Sequence, residues 1–373
     1  MNAEIWIGTR KGLFIARRNG AGWAIDDSAF LGVPVSMLLV DARSGYAYAA
    51  LDHGHFGVKL QRSENGGRGW QEIAAPTYPE KPEGVSDLDP MRHSEIPWDT
   101  KLIWSLEAGP PGRDGELWCG TMPGGLFRSR DHGDSWEIVE SLWNNPMRKE
   151  WFGGGADLPG IHSIAIHPDQ PDRVTLAISC GGVWVSEDAG ASWACRADGM
   201  RADYMPPEVA NEPNTQDPHR VVQCRAAPEV LWCQHHNGVF LSEDNSASWR
   251  ELGEMPPSAF GFSVAVHPDD PDTAWRVPAA KDEERIPVAG KLVVTRTRDR
   301  GRSWELLDRG LPSKHAYDIV FRHALDVAPG AECLAMGSTT GSAWVSEDLG
   351  DSWQTLSTHL PPVYCVRLFA STR

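Results

Sequence analysis

The chain has 373 residues, 41% of them hydrophobic, with 35 Lys and Arg against 51 Asp and Glu for a formal charge of -16. Such a surface repels phosphate backbones and argues against nucleic acid as a partner. No run of 18 or more apolar residues and no apolar signal-peptide segment is present, so no membrane partner and a cytoplasmic location are expected.

In chain order, the first apolar runs, residues 4–8 (EIWIG) and 13–16 (LFIA), read as strands. They lead into ARRNGAGW, which closes on Trp23, and the same stretch then returns in better form. SENGGRGW ends at Trp70, SRDHGDSW at Trp136, SEDAGASW at Trp193, SEDNSASW at Trp249, TRDRGRSW at Trp304 and SEDLGDSW at Trp353. Asn65 stands in the Asp position of the second copy, and Ser246 in the Gly position of the fifth. Further strand-like runs precede the boxes. Residues 161–166 (IHSIAI), the turn HPDQPD and residues 174–178 (VTLAI) form one set, matched by 262–266 (FSVAV) and the turn HPDDPD. Four short strands per unit, repeated at roughly 40 to 60 residues, are the pattern of a propeller blade. The first unit lacks its first strand, and the run at 363–369 (VYCVRLF) has no unit of its own. The expectation is therefore an all-β, seven-bladed β-propeller, a single domain over 1–373, whose ring is closed by the C-terminal strand completing the first blade.

The repeat S/T-x-D-x-G-x-S-W resembles the Asp-box, or bacterial neuraminidase repeat, of sialidases, sortilin-like receptors, xyloglucan-active glycosidases and photosystem II assembly factors. Within each box the Asp can accept backbone N–H groups, the Gly can take a left-handed conformation and the Trp covers the turn. Asp131, Asp188, Asp244, Asp299 and Asp348 are accordingly read as structural. In the resembling families these turns lie away from the active site, and proteins with this repeat are commonly labelled glycosyl hydrolases.

Three insertions, 74–100, 142–160 and 196–218, interrupt the repeats and contain Trp98, Trp143, Trp151, Tyr204 and the run Gly153–Gly155. Long, aromatic loops inside a compact domain point to a ligand face. Histidines gather in the same stretches. His53 and His55 (DHGHFG) and His235 and His236 (CQHHNG) fall between second and third strands, His162, His219 and His315 at the starts of first strands, and His93 in an insertion. On a strand, His53 and His55 would share one face. With Trp104 on a first strand, these residues describe an axial polar pocket for a small molecule or glycan, and the histidines could hold a divalent metal. No regular His-x-x-x-His spacing assigns its ligands, and no other cofactor is expected. The alternative is that loop histidines satisfy backbone groups around a water-filled channel.

Hydrolysis of a glycosidic bond needs two carboxylates about 5 to 10 Å apart. Among Asp52, Glu107, Asp157, Asp217 and Asp318, the expected catalytic set is Glu107, Asp157 and Asp217, with Glu107 favoured by the neighbouring Trp104. Arg285-Ile286-Pro287 resembles the Arg-Ile-Pro signature of sialidases, whose arginine grips a carboxylate. It lies after the fifth box rather than before the first, so it is read as coincidence, leaving Arg285 a candidate anion ligand. Two functions follow: a glycoside-hydrolase-like site for a small molecule or carbohydrate, or a non-catalytic scaffold for a protein partner. The seven cysteines form no CxxC pair and read as buried free thiols.

Overall fold

In the computed structural model, residues 3–20 and 22–370 are described. Among these residues twenty-eight strands form seven four-stranded sheets, and the fold is a seven-bladed β-propeller. In six sheets the strands run in chain order from one edge to the other. The first differs. There Val363–Ala370 pairs antiparallel with Ala3–Thr9 and takes the edge position that the chain's own first strand leaves open.

Many of the strands, among them Ala3–Thr9, Val174–Ser179, Gly182–Ser186 and Leu231–His235, are buried along their whole length. Trp6, Trp118, Trp184, Trp232, Trp275 and Trp344 come from strands of different sheets and are fully buried. Trp6 Nε1 and Trp118 Nε1 each donate to a glutamate two residues earlier, Glu4 (3.1 Å) and Glu116 (2.9 Å). The Nε1 groups of Trp184, Trp232 and Trp275 donate instead to the carbonyl oxygens of Gly181, Pro271 and Leu349, so each of these buried indole N–H groups has an acceptor.

The chain groups into two compact units. One comprises Leu39–Val221 with Ser242–Trp249, the other Met1–Leu38, Val222–Leu241 and Arg250–Arg373. The first holds the third and fourth sheets and a core around Trp118, Trp151, Trp184 and Ile164. The second holds the first, sixth and seventh sheets and a core around Trp275, Trp344, Val366 and Leu334.

The five box turns that carry the aspartate share one hydrogen-bond pattern. In the third, Ser129 Oγ donates to Asp131 Oδ1 (2.8 Å), Gly133 N donates to Ser129 Oγ (2.8 Å), and Ser135 N donates to Asp131 Oδ1 (2.9 Å). Ser135 Oγ completes the set on Oδ2 at 2.5 Å. The same bonds recur around Asp188, Asp244, Asp299 and Asp348. Asn65 keeps the amide bond from Gly69 (3.0 Å), but with Gly69 in the serine position the hydroxyl bond has no donor. Ser246 adopts the left-handed conformation that Gly provides elsewhere, at φ 67°, so the turn forms without the glycine.

All seven cysteines are free, and six are buried. Burial pushes the Cys365 thiol up to about 11 and those of Cys195 and Cys333 to about 12. No helix among the described residues is long and apolar enough to cross a membrane.

Candidate functional site

The three insertions knit together through buried polar groups. Asp87 on the first and Arg148 on the second form an ion pair at 2.9 Å, both almost fully buried. The Arg148 guanidinium stacks 4.0 Å over the Trp143 ring and donates to Trp143 O (2.6 Å), while Trp98 Nε1 donates to Asp87 Oδ2 (2.8 Å). Asp89 accepts from Gly153 N (2.8 Å), and Arg92 donates to the carbonyl oxygens of Gly153 and Gly154. The third insertion joins through Asn214, which accepts from Trp151 Nε1 (2.8 Å) and donates to Met147 O (2.8 Å). Long loops rich in polar groups can be buried only when those groups find partners in one another. Here they make a cap.

Beneath the cap lies Asp217, 4% exposed. Its Oδ1 accepts from Cys180 N (3.1 Å) and Ser179 Oγ (3.3 Å), and its Oδ2 lies 3.2 Å from His219 Nε2. The Gly153–Gly154 backbone sits directly against this group. A Cβ on Gly154 would fall 2.5 Å from Cys180 Sγ and 3.7 Å from Asp217 Oδ2, an approach only glycine permits. Cys180 itself has φ 47°. Tyr204, on the third insertion, donates its hydroxyl to Thr215 O (2.6 Å). Although 38% of the residue is exposed, burial of the phenol and the nearby Asp217 carboxylate push its pKa up.

His162, fully buried on the strand Gly160–Ile166, places Nε2 2.7 Å from Pro218 O, which can only accept, so that nitrogen carries the proton. Its Nδ1 then accepts from Ser163 Oγ (3.0 Å). The Trp104 ring meets it edge-on at 5.4 Å and packs on Gly160, where a Cβ would fall 2.5 Å from Trp104 Cε3. His219 lies on the strand Pro218–Gln223, and His236 directly follows the strand Leu231–His235.

The other expected residues are placed differently. His53 and His55 sit on a 3-10 turn at Gly54–Phe56, not on a strand, and both pack against the Phe56 ring. His315 is exposed in a loop with φ 54°, ten residues before the strand Leu325–Val327, because the segment between them forms no ladder. His235 is fully buried, its Nδ1 accepting from Asn237 N (3.2 Å). Glu107 faces Trp118 across the ladder, next to the Gly109–Glu116 hairpin and at the opposite end of its strand from the Met122–Leu102 pairing. Asp157 is exposed on the glycine loop. Asp52 accepts from Gly54 N (3.4 Å), and Asp318 is buried with Ser338 and Thr340 donating to it. Arg285 is paired with Asp282 (2.5 Å) and lies 5.4 Å over the Phe262 ring.

Sequence reasoning missed Ser179 and Cys180, which hold Asp217, and the charge pair Asp87–Arg148. Their signal is tertiary, since 61 residues separate the ion-pair partners. It also missed a groove of about 410 Å³ lined by Trp118, Arg128 and Glu137 of the third sheet and the box turn at Asp188.

No protein-family model matches the chain. It is 27% identical over 209 residues to the oligoxyloglucan-reducing end-specific xyloglucanase of Emericella nidulans, a match covering 55% of this chain and 24% of that enzyme. A probable enzyme of the same name from Neosartorya fischeri matches at 24% over 272 residues, covering 65% of this chain and 31% of the relative. The chain thus spans about a quarter to a third of the length of these relatives. Among solved structures, an ancestral GH74 enzyme superimposes with a TM-score of 0.59 at 16% identity, covering 94% of this chain and 40% of that one. YCF48 bound to D1 peptide does so with a TM-score of 0.53 at 14% identity, covering 87% and 83%. A functionally unknown protein from Desulfotomaculum acetoxidans covers 99% of both chains with a TM-score of 0.59 at 9% identity. At such identities the likeness establishes the seven-bladed β-propeller.

Proposed function

We propose that the chain binds an oligosaccharide at the capped face around Asp217, as a glycoside-hydrolase-like Asp-box propeller. The observation that supports this most directly is the cap, in which three interlocked insertions hold a glycine backbone over a buried, hydrogen-bonded carboxylate. Sugar recognition needs this combination of fixed polar acceptors beside aromatic surface, and Trp104 and Tyr204 supply the surface. The two xyloglucanase relatives favour a β-glucan-type ligand. For hydrolysis, Asp157 on the exposed loop and the buried Asp217 are the carboxylate pair to test.

The test is calorimetric titration of xyloglucan and cello-oligosaccharides, followed by assay of released reducing ends. Binding that weakens at least about 10-fold in Asp217→Asn, with cleavage lost in Asp157→Asn, supports the reading. Absence of both binding and cleavage across these oligosaccharides overturns it. A second reading, a scaffold for a protein partner, is favoured by the exposed Val85, Leu88, Met91 and Met147 on the insertions. Under it, Leu88→Glu with Met91→Glu abolishes partner association, and unchanged association would remove that surface.

A further inference from the structure

We infer that Arg285 and Arg322, converging on the Phe262 ring, form an oxyanion site for the phosphate or carboxylate group of a small ligand. All of its residues belong to one compact unit, the one that holds the sixth and seventh sheets. Phe262 is the second residue of Gly261–His267, the edge strand at which the sixth sheet begins, and is 3% exposed. The Arg285 guanidinium lies 5.4 Å from the centre of its ring, and that of Arg322 lies 5.7 Å from it. Arg285 arrives from the loop between Asp270–Pro278 and Val294–Thr297, and Arg322 from the segment before Leu325–Val327. Phe321 anchors that segment by packing edge-on against the same ring at 5.2 Å. A ring attracts each cation, but two cations drawn to one ring repel each other, and an anion bound to both offsets the repulsion.

A third guanidinium is buried beside the same strand. Arg276 is fully buried and donates to Gln234 Oε1 (3.0 Å) and to the carbonyl oxygens of Ser258 (2.7 Å), Ala259 (2.8 Å) and Phe260 (2.9 Å). Its partners among the described residues, the Met255 sulfur included, are all uncharged. Burial lowers Arg276 to about 9, which still leaves it a cation at neutral pH. Gly261, next to Phe262, comes so close that a Cβ there would stand 3.4 Å from Arg276 Nη2. A buried cation without a counter-charge raises the positive potential around it, because the interior screens charge weakly. Arg285 keeps capacity for a ligand. Asp282 Oδ1 accepts from its Nε (3.1 Å) and Nη2 (2.5 Å), and its Nη1 bonds to nothing among the described residues. Guanidinium forks match the oxygens of carboxylate and phosphate, so positive charge concentrated here, in a chain of net charge -16, suits an anionic group. The site does not rest on the oligosaccharide reading.

The test titrates the full chain in low-salt buffer with inorganic phosphate and, separately, with succinate, followed by calorimetry. No sugar is present, so it stands or falls separately from glycan binding. Expected is one anion per chain, bound about 10-fold more weakly by Arg285→Gln and by Arg322→Gln. Arg285→Lys, which keeps the charge but loses the planar fork, should fall between, and Arg298→Gln, at an exposed arginine beside Glu305, should match the wild type. Tighter binding of phosphate assigns the site to a phosphorylated ligand, and tighter binding of succinate assigns it to a carboxylate. Should the half-buried Arg322→Gln fail to fold, the exposed Arg285→Gln gives the same readout. Undetectable binding of both anions, or equal affinity in the wild type and Arg285→Gln, overturns the assignment.

Discussion

At the scale of single residues, the box turns separate what a motif requires from what it usually contains. Ser246 occupies a left-handed position where the other four Asp-containing boxes have glycine, and its buried hydroxyl oxygen finds no partner. Both features are unfavourable, since a non-glycine residue at positive φ is strained and a buried unpaired hydroxyl is desolvated. Replacing Ser246 by Gly should stabilise the chain by about 1 kcal/mol net of the extra freedom glycine gives the unfolded state, measured by urea unfolding. A destabilised variant would mean that Ser246 N bonding to Ser242 Oγ depends on the serine side chain. The box aspartates give a second prediction. At Asp188 the Ser192 hydroxyl and amide hold the carboxyl below its usual range, and at Asp131, Asp244 and Asp348 burial is the largest single effect and acts the other way, but the box hydrogen bonds together lower the carboxyl. A lowered folded pKa contributes stability above the unfolded value and loses it as pH falls through the folded one. The boxes should therefore lose their contribution below about pH 4. Asp188→Asn should flatten the acid limb of a thermal-melt profile while lowering stability at pH 7; an unchanged acid limb would refute the link.

At the scale of elements, the insertions show where sequence reading stops. Their boundaries and aromatic content were legible because they break a strong repeat. That they form one cap was not, since Asp87–Arg148 and Arg92–Gly153 are contacts across 61 residues that leave no periodic trace. The histidines divide along the same line. His162 and His219 fall on strands whose alternation was readable, whereas the fate of His53, His55 and His315 depended on a 3-10 turn and an irregular loop. Removing one partner of a buried ion pair leaves an uncompensated charge, which costs about 3 to 5 kcal/mol. Arg148→Ala should therefore open the cap locally. Hydrogen exchange is expected to quicken at residues 85–98 and 146–154, with the strand Gly182–Ser186 still protected. Uniform loss of protection would mean that the cap and the sheet beneath it unfold as one unit.

At the scale of the whole molecule, the repeat and the C-terminal run imply the seven-bladed fold, because blade number and closure are written in the count of boxes and the position of the strand that belongs to no box unit. What that strand does energetically follows from its partners. Val363–Ala370 pairs with Ala3–Thr9 on one side. On the other, Val366 N donates to His323 O (2.8 Å), Leu368 N donates to Asp326 Oδ2 (2.7 Å), and Val363 packs where a Cβ on Gly337 would clash at 2.5 Å. One strand therefore ties the first sheet to the seventh. Deleting residues 363–373 would leave unpaired those N–H and C=O groups of Ala3–Thr9 that face the lost strand, the others staying bonded to Gly12–Asn19, and uncover Ile5, Ile7 and Leu334, a ready edge for association with another chain. The truncated chain is expected to elute as oligomers on size exclusion and to lose its cooperative melt. A synthetic peptide spanning 361–373 should restore both, because the missing contacts are non-covalent and local to one strand. A truncated monomer melting with unchanged cooperativity would show instead that the remaining sheets hold the fold without the closing strand, and that the pairing with Ala3–Thr9 contributes little to stability.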